Sequence, residues 1–97
     1  MNDSLHNTIQ LGDWVIYGKS NYLRVAKIIE TGMRGSNSYI KLFAAGHDCK
    51  VYYREVQTWS TTLWSVLYLE DPPIAQRDAI EQRLLKEQSK GKYLNVP

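Results

Sequence analysis

Gly12-Asp13-Trp14-Val15-Ile16-Tyr17, followed after a short break by Leu23-Arg24-Val25-Ala26-Lys27-Ile28-Ile29-Glu30, decides how this chain folds. Both stretches are rich in β-branched and aromatic residues, and Gly18, Ser20 and Asn21 between them supply a turn. They read as strands over 13–17 and 22–30. The second alternates imperfectly: Val25-Ala26 and Ile28-Ile29 are apolar neighbours, which implies partial cover on both faces.

Working outward, Thr31 to Asn37 reads as a flexible loop because of Gly32, Gly35, Ser36 and Asn37. Ser38 to Ala44 then alternates, with Ile40 and Leu42 on a core face and Tyr39, Lys41 and Phe43 on a face that reaches the surface. After a turn at Ala45, Gly46 and Asp48, a fourth strand is expected from Cys49 to Tyr53 and a short fifth from Val56 to Trp59. Strands this short and closely spaced hide their edges best by curling, so a small antiparallel barrel is expected. Thr61 to Leu69 mixes helical and strand spacing and reads as a strand. From Asp71 the texture changes. Asp71 is placed to cap, Pro72 and Pro73 suit a first turn, Ile74 to Ser89 holds good helix formers, and Gly91 supplies a stop. Ile80, Leu84 and Leu85 give that helix a thin apolar stripe, suited to lying on the barrel or on a partner.

The expected organisation is a loosely held arm over residues 1–10, a barrel over 11–70 and a helical tail over 71–97. At 97 residues there is room for one domain, and 43% apolar content with eleven aromatic rings is enough for a small core. The longest uncharged stretch, Val56 to Leu69, is too short and too polar to span a bilayer as a helix. The first ten residues lack the basic start and apolar centre of an export signal, and the single cysteine, Cys49, cannot form an internal disulfide. A cytoplasmic, reducing compartment is the simplest expectation.

The opening Gly12-Asp13-Trp14-Val15, the strand Ala26-Lys27-Ile28-Ile29-Glu30, the strand Tyr39-Ile40-Lys41-Leu42-Phe43 and the Val51 to Val56 region resemble small Src-homology-3-like barrels of the KOW and Tudor type. The resemblance covers about Leu11 to Trp59. It implies a mainly β fold of about five strands, here followed by a C-terminal α-helix. It also implies a non-enzymatic binding module that contacts nucleic acid, a nucleoprotein machine of transcription or translation, or a methylated side chain.

Net charge is +2, and it is unevenly spread. Residues 12–60 hold seven Lys or Arg against four Asp or Glu, whereas the tail is balanced. Arg24, Lys27, Arg34 and Lys41 beside Tyr22, Tyr39 and Phe43 would join positive charge for phosphates to rings that stack on bases. The plain reading of the same residues is a solvated strand face with ordinary cross-strand pairs. A second candidate surface for a protein partner comprises Trp59, Trp64 and Tyr68 with Ile80 and Leu84 of the helix. An aromatic cage drawn from rings such as Trp14, Tyr17 and Tyr52 is the Tudor-like alternative, set against their use as core. His47-Asp48-Cys49 has catalytic residue types but too few further His or Cys donors for a closed zinc site, so no metal, cofactor or enzymatic activity is expected.

Overall fold

The computed structural model describes residues 2–19, 22–58 and 65–97, with the side chains of Lys19, Tyr22 and Thr58 outside the described set. Five strands precede one helix: β1 (Trp14–Lys19), β2 (Tyr22–Arg34), β3 (Asn37–Ala45), β4 (Val51–Thr58), β5 (Val66–Tyr68) and α1 (Ile74–Gln88). The strands form one antiparallel sheet in the order β4-β3-β2-β1-β5, a four-strand meander whose short fifth member returns to β1. Among the described residues no ladder joins β4 to β5, so the sheet is open there.

Two differences from the expected elements have local causes. Thr31 to Asn37 is mostly strand: β2 runs to Arg34, and only Gly35 and Ser36 separate it from β3. Gly35 sits at φ +64°, a conformation open to glycine that lets so short a connection reverse the chain. The expected fourth and fifth strands merge into one continuous β4 over Val51–Thr58, since Tyr53-Arg54-Glu55 stays in register with Leu42 and its neighbours; Cys49 and Lys50 precede it, and Trp59 lies outside the described residues. Of the expected Thr61–Leu69 strand, Val66–Tyr68 forms β5; residues 61–64, like the expected turn at Ser20 and Asn21, lie outside the described residues.

The inner face carries one core. Val15 and Tyr17 of β1, Ala26 and Ile28 of β2, Ile40, Leu42 and Ala44 of β3 and Val66 of β5 cluster there with Ile9, and Tyr52 and Val56 of β4 pack against them. All five strands contribute to it. The outer face carries a second core, where Ile29, Phe43 and Ala45 meet Ile80 and Leu84 of α1 and Val96 of the tail. Adjacent apolar residues in β2 follow from this arrangement. Ala26 points inward and Val25 outward, while a bulge at Ile28/Glu30 lets both Ile28 and Ile29 be buried, one in each core. The burial along β3 has the same cause: it alternates at first, then is continuous from Leu42 to Ala45, where the helix covers the outer face.

α1 begins without the expected Asp71 cap. Pro73 is the N-cap residue and no side chain caps the helix. It ends as expected at Gly91, which takes φ +83°, with Gly91 N–H donating to Gln88 O (3.0 Å) and Lys92 N–H to Glu87 O (3.1 Å), the two bonds of a Schellman motif. The thin stripe is sufficient because Ile80 and Leu84 are both buried on the sheet.

Residues 2–10 also differ from the loosely held arm their composition suggests. Asp3 is fully buried, Ile9 enters the inner core, and Ser4 N–H donates to Val66 O of β5 (2.8 Å). The Asp3 carboxylate accepts from Leu5 N–H, Asn7 N–H, the Asn7 side-chain amide and, at 2.7 Å, Tyr68 N–H. The segment therefore covers the outer edge of β5.

Candidate interaction surface

The residues proposed for nucleic acid do not share one exposed face. Phe43, read as surface, is 2% exposed and lies under α1, with its ring edge-on to Tyr93 at 5.6 Å. Lys27 is 6% exposed for the same reason: it stands opposite Phe43, and its ammonium donates to the main-chain oxygen of Pro97 at 2.7 Å beside the Trp14 ring. Burial pushes the Lys27 ammonium below its ordinary value, and nearby Glu81 works against that shift. Arg24 lies on the inner side of β2, its guanidinium across Gly46, where a Cβ would come within 3.0 Å of it. Tyr22 falls in β2, and its side chain is outside the described residues.

Three of the seven do meet. Tyr39, Arg34 and Lys41 share the part of the outer face beyond the helix, together with Glu30 and Glu55. The Tyr39 ring lies across Gly32, its register partner, where a Cβ would be 2.6 Å from the phenolic oxygen. Arg34 stacks on that ring at 4.4 Å and pairs with Glu55 at 2.6 Å; Lys41 pairs with Glu30 at 2.9 Å, and Tyr39 Oη donates to the same carboxylate. The hydrogen bond from Lys41 holds the Glu30 carboxyl below its ordinary value, against desolvation and aided by Tyr39, and the same bond raises Lys41. Two cations and two carboxylates thus cancel. The cluster depends on Gly32 having no side chain. Gly32→Ala gains about 0.5–1 kcal/mol of backbone entropy but must displace the ring, so a net loss of about 1–2 kcal/mol is expected in urea unfolding.

The residues proposed for a protein partner are also divided. Ile80 and Leu84 are used in packing α1 on its own sheet, which is one of the two roles their stripe suits, and so they do not form an exposed surface with Tyr68. Trp59 and Trp64 lie outside the described residues, and Tyr68 of β5 is partly exposed. At the turn His47-Asp48-Cys49, Cys49 takes φ +56°, in the left-handed region, and its thiol faces His47 O at 3.9 Å.

A surface not singled out in the sequence lies on the outer face of β1, β2 and β5, where α1 does not reach. Ile16 stands opposite Val25 on one side and Leu67 on the other, and Leu23 stands opposite Gly18. Leu23 is 71% exposed. Two clefts flank it and share Ile16 and Leu23 as walls; one continues past Ser65 and Leu67, and the other, of about 400 Å³, runs past Leu69 to Pro73 and Gln76 at the start of α1. The sequence did hold a signal for it: a helical stripe only as long as Ile80 to Leu84 cannot cover five strands. No protein-family model matches this sequence, and no curated protein or solved structure is significantly similar to it. No helix among the described residues is long and apolar enough to cross a membrane.

Proposed function

We propose that this chain is a non-catalytic, cytoplasmic protein-binding module of the Src-homology-3-like class, which joins a larger assembly through the Ile16–Leu23–Leu67 strip. The strand order supports the class: a meander of four strands with a short fifth returned to β1 is the arrangement expected of such barrels. The observation that carries the function is Leu23, a large apolar side chain exposed between two clefts near the start of β2. The nucleic-acid reading has weaker support, because a phosphate at Arg34 or Lys41 must first displace Glu55 or Glu30.

Leu23→Asp separates these readings. The position is exposed, so folding stability should change by no more than about 1 kcal/mol, whereas a carboxylate buried against an apolar partner should cut its recovery on the tagged chain by at least about tenfold. The recovered partner should survive nuclease treatment. Partner retention by a folded Leu23→Asp variant, or its loss on nuclease treatment of the wild type, would sink the proposal.

A further inference from the structure

The sheet has two edges, and the fold treats them differently. The three-residue edge strand β5 is covered by Asp3 and Ser4. β4 is eight residues long, is paired on one side only among the described residues, keeps an unbroken register with β3 and has no proline, glycine or lysine, so the charges of Arg54 and Glu55 are what any further pairing has to accommodate.

The direction of its free backbone groups follows from the ladder. Gly18 N–H bonds Ser65 O and Leu69 N–H bonds Trp14 O, so even-numbered residues of β1 face β5 and odd-numbered ones face β2. Passing this through the registers, Val15 with Ala26, Lys27 with Phe43, then Leu42 with Arg54 and Ala44 with Tyr52 are bonded pairs. Even residues of β4 therefore bond β3. The amides and carbonyls of Val51, Tyr53, Glu55 and Gln57 point outward.

We propose that this edge pairs with β4 of a second copy of the chain, antiparallel, about a two-fold axis at Tyr53. Self-pairing must keep outer side chains with outer and set outward-pointing amides against each other, so each register centres on a single residue. Centring on Arg54 or Glu55 places like charges directly opposite, which is unfavourable. Centres at Tyr53 and Val56 avoid this. The Tyr53 register sets ring against ring and places Tyr52 opposite the partner's Arg54 at both ends. It thereby repeats across the axis a contact that Arg54 already makes with Tyr52 at 5.3 Å within one chain. The partner's Glu55 falls opposite Val51, and its charge is already matched by Arg34. The pairing supplies about six interchain backbone hydrogen bonds and sets two Leu23 strips on one continuous sheet.

Sedimentation of the full chain from about 10 µM to about 1 mM tests the dimer. Wild type should reach twice the monomer mass with rising concentration, and the amides of Val51, Tyr53 and Glu55 should gain exchange protection over the same range. Tyr53→Lys and Tyr53→Glu each set a charge against itself at the axis and should weaken association by at least about tenfold, while an equimolar mixture of the two should dimerise again. Circular dichroism confirms that each variant is folded. A wild type that stays monomeric, a folded Tyr53→Lys variant that still dimerises, or a mixture that does not would overturn the proposal.

Discussion

Phe43→Ala is expected to lower folding stability by about 3–5 kcal/mol, a large part of the roughly 5–15 kcal/mol typical of a single domain. Phe43 is the one phenylalanine in the chain and, among the described residues, has the largest fully buried side chain. Its ring joins three parts of the structure. It belongs to the cluster of Ile80 and Leu84 on α1, meets Tyr93 of the tail edge-on, and has the Arg83 guanidinium over it at 5.3 Å. The sheet below is held by β2 and β4 on either side of β3, so the strands themselves do not close the space. Urea unfolding of the variant should show a midpoint shifted far down. Native-state amide exchange should show α1 opening before the strands, since the inner core contains none of the lost contacts. A loss below about 1 kcal/mol would mean that the ring is not the main tie between helix and sheet.

The same residue shows where the sequence stops being legible. Alternation placed Tyr39, Lys41 and Phe43 together on one face, and the structure agrees. It does not say what covers that face, and cover changes partway along the strand: Tyr39 and Lys41 lie past the end of α1, Phe43 beneath it. Lys27 is affected in the same way, being opposite Phe43. The paired apolar residues of β2 were more informative, because Val25-Ala26 and Ile28-Ile29 imply partial cover on both faces, and each face carries a core. Charge was legible as a local excess but not as a surface. Arg34 finds Glu55 and Lys41 finds Glu30 across strands, and those pairs depend on register, including a bulge that no short motif announced. The Leu23 strip depends on how far a helix reaches, again a tertiary fact.

Asp3 was read as part of a loose arm, and its removal is expected to have the second large effect. Asp3→Ala leaves the amides of Leu5, Asn7 and Tyr68 without their acceptor at a fully buried site, a loss of about 2–4 kcal/mol at neutral pH. The effect should depend on pH in a definite direction. Burial pushes the Asp3 carboxyl up, but the bonds from Tyr68 N–H, the Asn7 side chain, Asn7 N–H and Leu5 N–H outweigh it and hold the folded value below the ordinary one. The folded state then binds fewer protons than the unfolded state between the two values, so stability rises with pH there. The contribution is complete above the unfolded value, from about pH 5, and is lost as pH falls through the folded value. Other carboxylates titrate alike in wild type and variant, so they cancel in the difference. Unfolding free energies measured for both at pH 7 and in stronger acid should therefore converge on acidification. A difference that stays constant with pH would show that the charge on Asp3 contributes nothing and that the buried site requires only its shape. Convergence would mean instead that the cover of the β5 edge is itself sensitive to acid, since Tyr68 N–H and Ser4 N–H are the bonds that hold it.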